Sequence, residues 1–349
     1  PLLNEDYSDR YMPGNNNWET INTTNAGLDM AFLKGRLTVT ADYFVKHNPR
    51  IQIAEQTLPP YNYAYPSFFI ASMRSWGWEF NIGWRDNRGA FSYWVNANLF
   101  DGQNKILSSD GNTAWLPGNN KGLDGLPYNA ILGYKSEGYF RTNDEANAHA
   151  YQGTVTAAGD IKYKDQNNDG IINGGTYTKA DHGDLVYLGS SQPRYSYGFD
   201  AGFSYKGVDF SVFFQGIGER KVMVPAKYSM PFVEGWQQPW QIHADYWTPG
   251  NQYAAFPRLY SGYNQNLAPS SFWVMNAAYV RLKNLQLGYT FRFTHGQPLI
   301  SSLRVYFSGQ DLWEINHMKI RYYDPEQAAN TGYQYPFFRS FTLGMNAIF

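Results

Sequence analysis

Apolar and polar positions alternate along much of the chain, and this alternation predicts β-strands. Successive side chains of a strand point to opposite faces, so a period of two separates an apolar surface from a polar one. In the last eleven residues the apolar face consists of Phe341, Leu343, Met345, Ala347 and Phe349. Eight upstream segments repeat the pattern, with apolar faces that begin near Ala26, Leu37, Trp76, Phe91, Tyr195, Val208, Val280 and Leu303.

One predicted strand changes phase. In YVRLKNLQLGYTF, apolar residues occupy even positions as far as Leu282 and odd positions from Leu285 onward. A β-bulge inserts one extra residue into a strand and so restores a common face. We expect such a bulge near Lys283 and Asn284; the alternative is that the upper end of the strand has left the lipid.

The residue types on the polar face favour a membrane protein. A soluble β-sandwich would carry many Lys and Glu there, whereas this face is rich in Asn, Ser, Thr and Gly. Aromatics make up 18% of the chain, and transmembrane barrels collect aromatics in two interfacial girdles. Alternation also explains the mean hydropathy of −0.51, which looks too polar for a membrane protein. The sequence predicts an all-β fold, a transmembrane antiparallel β-barrel.

The predicted connectors alternate strictly between short and long. Short turns lie around Lys34-Gly35, at 86–90, at Lys206-Gly207 and at 294–301, and long segments cover about 48–74, 103–194, 217–276 and 313–338. Outer-membrane barrels have short periplasmic turns and longer extracellular loops, whereas long loops are uncommon in ordinary domains. The long segments are therefore expected outside the cell.

Nine strands are an odd number, which sets an expectation about the whole protein. Bacterial single-chain barrels have an even number of strands, and an open sheet would leave unpaired backbone groups in lipid. We expect residues 1–23 to be the end of an extracellular loop and residues 24–349 to be the C-terminal part of a larger barrel.

Several stretches resemble one transporter family. They are WETINTTNAGLDMAFLKGRLTVTADYFVK, GWEFNIGWR, YKDQNNDGIING, LGSSQPRYSYGFDAGFSYKGVDFSVFFQG, HADYWTPGNQYAAFPRLY, SSFWVMNAAYVRLKNLQLGYTF, LRVYFSGQDLW and the terminal YPFFRSFTLGMNAIF. In content and order they are similar to the C-terminal part of SusC-like TonB-dependent outer-membrane transporters of the Bacteroidetes (the SusC/RagA family).

This resemblance implies a mechanism that the strand pattern alone does not. It implies a barrel of about 22 strands, an internal plug, energy supplied by TonB, and location in the bacterial outer membrane. It also implies a SusD-like surface lipoprotein over the extracellular loops, and import of glycans or peptides. TonB would be contacted by N-terminal sequence that precedes these residues.

DQNNDGIIN is the candidate metal site. Asp165, Asn167 and Asp169 stand at alternate positions before Gly170, and Ile171 is placed to offer a backbone carbonyl, as at the start of an EF-hand-type calcium loop. The twelfth position is Thr176 rather than Glu, so Asp181 or Asp184 would have to complete the ligand set. The alternative is a turn held by its own Asx hydrogen bonds. Calcium would stiffen the loop; no cofactor is required for chemistry.

Aromatic clusters and inward charges complete the candidate site residues. The aromatics lie at 61–69, 236–241, Trp247, Tyr253 and Phe256, and packing is the expected role of most of them. Charges expected on the polar face are Asp29, Asp42, Glu79, Arg85, Asp200 and Arg304, where they would line a channel or contact a plug. The substrate-binding residues stay unknown.

Other classes of function find little support. Cys is absent, which excludes thiol catalysis, and the net charge of −1 gives no basic surface for nucleic acid. No nucleophile elbow, P-loop or zinc-protease motif is present, so we do not expect an enzyme. The alternatives left open are a passive porin-like channel or adhesin barrel, and a soluble carbohydrate-binding β-protein.

Overall fold

The computed structural model describes most of the chain as β-structure. The residues it describes are 19–53, 68–109, 115–120, 123–223, 230–233, 238–293, 299–320, 323–327 and 338–349. Their long strands are β1 (Asn22–Phe32), β2 (Leu37–Ile53), β3 (Phe68–Arg88), β4 (Phe91–Ser109), β10 (Arg194–Tyr205), β11 (Val208–Glu219), β14 (Tyr279–Arg292), β15 (Ser302–Asn316) and β16 (Ser340–Ile348).

These nine strands form one antiparallel sheet in chain order. The order is β1-β2-β3-β4-β10-β11-β14-β15-β16, and every neighbouring pair is antiparallel. Within the described residues, β1 pairs only with β2 and β16 only with β15. The sheet is thus an up-and-down meander, the arrangement predicted from alternation.

The apolar face of this sheet is exposed along its length. Leu28, Phe80, Leu287 and Leu343 all lie on it with substantial exposed area, which reaches 81% for Leu343. In water such a continuous apolar surface would be a severe liability. A lipid-facing wall accounts for it, and the soluble β-protein considered above was therefore the wrong alternative.

The bulge expected near Lys283 and Asn284 is confirmed. Phe213 pairs with Asn284 and the next residue of β11 pairs with Leu282, so Lys283 is the extra residue of β14. On the other side the register of β15 moves from Gln310 to Trp313. Leu282 and Trp313 consequently stay on the apolar face despite the change of phase.

A salt bridge joins the irregular positions of the two strands. Lys283 Nζ lies 3.0 Å from Asp311 Oδ1, and Asp311 is among the few non-glycine residues with a positive φ, at 52°. Two residues that have left the regular ladder are thus paired with each other, which fixes the register on both sides.

Several long strands continue past the positions where alternation fades. β2 reaches Ile53 and β3 begins at Phe68, so the connector expected at about 48–74 is residues 54–67. Likewise β4 ends at Ser109 and β15 at Asn316, which shortens the connectors expected from about 103 and 313. Bulges near Asn48, Ile51 and Ser72 interrupt the period of two, which is why the sequence pattern ended too early.

At its N-terminal end the structure also refines the expected bounds. β1 begins at Asn22, whereas alternation suggested Ala26. Residues 1–18 of the expected extracellular loop end lie outside the described residues. The short–long alternation of connectors is preserved, with short connectors at 33–36, 89–90, 206–207 and 293–301.

The long connectors contain small elements of their own. The short strands are β5 (Gly118–Asn120), β6 (Ala130–Tyr134), β7 (Ser136–Tyr139), β8 (Ile161–Tyr163), β9 (Leu185–Ser190), β12 (Lys221–Met223) and β13 (Val274–Asn276). One α-helix, α1 (Asn143–Ala148), is capped by the Thr142 hydroxyl, which accepts the Glu145 N–H. Short 3₁₀ helices span Gln241–Ala244 and Gln265–Leu267.

These elements pack around one hydrophobic core, and we call them the connector module: the described residues of 115–193, 220–278 and 317–327. Its buried core consists of Ile131, Ile161, Tyr163, Ile172, Val222, Met223, Met230, Val233, Phe256, Trp273, Met275, Ala277, Met318 and Ile320. Residues from three separate connectors contribute to it. The long loops are therefore a folded unit at one end of the sheet.

No helix in the part of the chain that the structure describes has the length and hydropathy to cross a bilayer.

Candidate functional site: the polar face of the sheet and the connector module

All six charges expected on the polar face share one face of the sheet. The register pairs Asp29 with Thr40, Asp42 with Glu79, Arg85 with Trp94, and Asp200 with Asn96. Because paired residues share a face and faces alternate, the pairing carries this assignment across the sheet to Arg304. The prediction for these side chains is confirmed.

Hydrogen bonds hold several of these charges in place. Trp94 Nε1 and Asn96 Nδ2 donate to the same oxygen of Asp200, at 3.1 and 2.9 Å. Near the short turns, the Arg304 guanidinium forms two contacts with Asp209 and donates to Gln286 Oε1 at 3.2 Å. The polar face thus presents carboxylates whose remaining lone pairs are available to a ligand or to another part of the protein.

Aromatic rings lie over glycines on the same face. A Cβ at Gly77 would stand 2.8 Å from the Phe44 ring, and one at Gly102 would stand 2.9 Å from Phe100. Phe44 and Phe100 stack on each other with ring centroids 6.2 Å apart. Glycines in strand interiors mark such close approaches, and a neighbouring ring covers the exposed backbone. The glycines were a sequence signal for these rings that strand alternation did not use.

An ionic cluster fastens the connector module to the sheet. The side chain of Arg281 on β14 is 3% exposed and contacts Glu314 of β15 and Asp324 of the last long connector. Glu326 Oε2 lies 3.5 Å from the same guanidinium, and the Tyr279 hydroxyl donates to Glu326. We call Arg281, Glu314, Asp324 and Glu326 the Arg281 cluster.

Two further observations define the surroundings of this cluster. Burial is the main cause that raises the pKa of Asp324 above its ordinary value, although Arg281 acts in the opposite direction. Arg220 donates to the carbonyls of Pro325 and Glu326 at 3.1 and 3.2 Å. The sequence pattern did not predict the cluster, because its members lie on β14, on β15 and in the last long connector, far apart along the chain.

The candidate calcium residues come together in one tight turn. Asp165 accepts the N–H groups of Asn168 and Gly170 at 2.6 and 2.9 Å, and Asp169 accepts the N–H of Ile171 at 2.8 Å. Asn167 Oδ1 accepts the Asp169 N–H at 3.1 Å, and its Nδ2 donates to Asp169 Oδ2 at 2.9 Å.

The residues considered for completing that ligand set are engaged elsewhere. Asp184 accepts from the N–H groups of Gln166 and Asn173, and Asp181 accepts the Thr176 N–H. Over the described residues, no three His, Cys, Asp or Glu side chains form a metal-binding group. Calcium at Asp165, Asn167, Asp169 and Ile171 stays a prediction.

The loop aromatics divide into packing and exposed groups. Trp247 and Phe256 are buried in the connector module, as expected for packing residues. Tyr253 is 84% exposed and Trp240 is 49% exposed. Residues 61–67 and 236–237 of the predicted clusters lie outside the described residues.

A cavity of about 370 Å³ opens within the connector module. It is lined by Ile242, Asp245, Ala255, Phe256, Phe272, Trp273, Met275, Lys319 and Ile320. Its wall is mainly apolar, with one carboxylate and one ammonium group. This is the composition of a small-molecule site: an apolar surface with a few polar groups that fix orientation.

Comparisons with known proteins show which proteins this chain is similar to. No family model matches the chain. TonB-dependent receptor P26 of Formosa agariphila is 28% identical over 97% of the chain, and TonB-dependent receptor P3 of the same organism is 25% identical over 95%. The chain is homologous to TonB-dependent receptors. It spans about a third of the length of these relatives, 35% and 34% respectively.

Solved structures confirm the fold of this TonB-dependent receptor homologue. A structure of the RagAB peptide transporter superposes with a TM-score of 0.73 at 18% identity, covering 95% of the chain and 35% of that structure's chain. The RagAB peptide importer in its closed-closed state gives a TM-score of 0.70 at 20% identity. The β-barrel fold is thus confirmed, the relatives above confirm the predicted resemblance at the level of TonB-dependent receptors, and the protein is an outer-membrane protein. Its polar face is the barrel lumen.

Proposed function

We propose that the protein is an importer of oligomeric nutrients, glycans or peptides, through the outer membrane, driven by TonB. The observation that carries the proposal is the asymmetric sheet: an exposed apolar face, a charged lumen face, and long connectors folded into one module at one end. A wall of this kind supports passage of polar cargo, and its homologues are named TonB-dependent receptors.

The remaining wall of the barrel would come from sequence outside this chain. An open sheet edge in lipid leaves backbone N–H and C=O groups without partners, at a cost of several kcal/mol per group. In the proposed whole protein, further strands pair with β1 and β16 and close the barrel. A plug and the segment that contacts TonB would lie in the same part of the protein.

A SusD-like surface lipoprotein is the proposed partner. The connector module forms a packed platform rather than loose loops, which is what a partner covering the barrel mouth would require. Exposed side chains on this platform include Tyr253, with Arg141 5.6 Å from its ring centroid. Aromatic and arginine side chains are enriched where proteins dock.

Uptake measurements separate active import from a passive channel. Cells that lack the gene would be compared with wild-type cells for growth on defined peptides or on defined oligosaccharides as sole carbon source. Active import predicts a growth defect on one nutrient class that loss of TonB reproduces, and uptake of that nutrient that stops when a protonophore is added. Uptake that persists without TonB, together with steady conductance of the purified protein in planar bilayers, would instead establish a porin-like channel.

The partner is tested separately. The full-length protein would be affinity-purified from outer membranes in mild detergent, and its stoichiometric companions identified by mass spectrometry. A companion with an N-terminal lipid anchor at a one-to-one ratio supports the partner. Purification of the intact protein without a lipoprotein would remove the partner from the proposal and leave import standing.

A further inference from the structure

The cavity in the connector module has the chemistry of a specific binding site. Ile242, Met275 and Ile320 give it aliphatic surface, and Phe256, Phe272 and Trp273 give it aromatic surface. A sugar ring carries several hydroxyl groups, and each hydroxyl buried here without a partner would be costly. The wall therefore favours an aliphatic side chain or an aromatic ring over a sugar.

The two charged groups of the wall are not equivalent. Both oxygens of Asp245 already accept hydrogen bonds, Oδ1 from Asn251 Nδ2 at 2.8 Å and Oδ2 from the Ala255 N–H at 3.1 Å. Asp245 is thus a structural group of the Asn251 turn. It needs no cation from a ligand.

Lys319 is in a different position. Its ammonium lies 4.3 Å from the centroid of the Phe272 ring, and no carboxylate of the described residues is within ion-pair distance of it. Its apolar surroundings lower the pKa of its ammonium below the ordinary value, because burial penalises the charge. An anion bound here would remove that penalty, since a charge partner in a partly desolvated site is worth more than one in water.

From this arrangement we infer that the cavity binds a small apolar carboxylate, with the carboxylate on the Lys319 ammonium and the apolar body against Trp273 and Met275. Two sources supply this chemistry: the C-terminal residue of a short peptide, and a free aryl or alkyl carboxylic acid. The inference deepens the import function proposed above, because it names the end of a cargo that the outer platform would recognise.

Binding is measured on the full-length protein in detergent by isothermal titration calorimetry. The probes are Gly-Gly-Phe, its C-terminal amide, and 3-phenylpropionate. Binding of Gly-Gly-Phe with an amide that is at least about tenfold weaker supports a peptide C-terminus. Tighter binding of 3-phenylpropionate than of Gly-Gly-Phe supports the free acid. Equal affinity for acid and amide would overturn the inference.

Two variants test the residues independently of folding. Lys319→Gln is expected to weaken the acid at least about tenfold and leave the amide unchanged, because it removes only the charge. Lys179→Gln, at an exposed lysine of another connector, is the matched control and should leave both affinities unchanged. Ala255→Trp fills the cavity from an exposed position and should abolish binding of both probes, whereas Ala180→Trp at an exposed position should not.

The outcomes separate this inference from the proposed import. If cells grow normally on nutrient oligomers but acid binding is unaffected by Lys319→Gln and by Ala255→Trp, the binding site is overturned and import stands. If uptake does not depend on TonB for any nutrient tested, and acid binding responds to the variants as expected, import is overturned and the binding site stands.

Discussion

Replacing Arg281 by glutamine removes the cation around which three carboxylates are arranged. Glu314, Asp324 and Glu326 face the Arg281 guanidinium, and their side chains are 22%, 17% and 24% exposed. Removing one partner of a buried ion pair costs about 3–5 kcal/mol, because the other charge is left buried and unpaired. Since these carboxylates keep some access to water, the lower end of about 3 kcal/mol is expected.

The effect should be local to the last long connector. The Gln327 N–H donates to the Asp324 carbonyl at 3.1 Å, and the Glu326 N–H donates to Asp324 Oδ1 at 2.8 Å. A loss of about 3 kcal/mol raises the exchange rate of such amides about 100-fold, since each 1.4 kcal/mol is tenfold. Hydrogen exchange measured by mass spectrometry on peptides that cover 323–327 reads this change directly.

Controls decide whether the charge is responsible. Arg292→Gln changes an exposed arginine of the same strand and should alter exchange at 323–327 less than about threefold. Combining Arg281→Met with Glu314→Gln, Asp324→Asn and Glu326→Gln should recover most of the protection, because no unpaired charge is left. Equal exchange in Arg281→Gln and Arg292→Gln would refute the role assigned to the Arg281 cluster.

Three further predictions follow from the faces of the sheet and from the connector module. Leu343→Arg should lower the free energy of unfolding in lipid vesicles by about 2–4 kcal/mol if the position lies at the bilayer centre, and by less near an interface. Thr342→Arg, on the lumen face, should not lower it, and urea titration measures the free energy of unfolding of both variants. Deletion of Lys283 should leave Val280 and Leu282 on the apolar face, because it removes the extra residue and makes the alternation of β14 regular; heat-modifiable mobility on gels should still show a folded barrel, and loss of assembly would contradict the bulge. Burial raises the pKa of Tyr134 to about 12, so its contribution to stability is complete below pH 10 and is lost as pH rises from 10 to about 12. The Tyr134→Phe variant should therefore lose less stability between pH 10 and about 12 than the unchanged protein, as followed by the near-ultraviolet circular dichroism signal. Identical profiles of the two proteins over this range would contradict the prediction.

The strands could be predicted because their signal is local. A period of two needs only neighbouring residues, and even the bulge at Lys283 was legible as a change of phase between Leu282 and Leu285. Strand ends were harder to predict. Beyond the lipid both faces of β2 and β3 meet water or protein, so residues such as Asn48 and Ser72 no longer need to alternate.

The interior of the connector module could not be predicted in the same way. Arg281 meets Asp324 across 43 positions of sequence, and Lys319 reaches the cavity wall formed by the segment around Trp273. Such contacts depend on how three connectors fold together, and no local period encodes that. Asp165 and Asp169 were found easily, because an Asx-rich turn is written in consecutive residues, but the same spacing serves both a calcium loop and a turn that satisfies itself.

The orientation of the barrel wall is tested most directly by cysteine labelling, for which this Cys-free chain is well suited. Single cysteines would replace Val155, which is 87% exposed in the connector module, and Lys34 in a short turn. In intact cells, a membrane-impermeant polyethylene glycol maleimide should label Val155→Cys, and should label Lys34→Cys only after the outer membrane is permeabilised. Labelling of Lys34→Cys in intact cells, with Val155→Cys protected, would contradict the account.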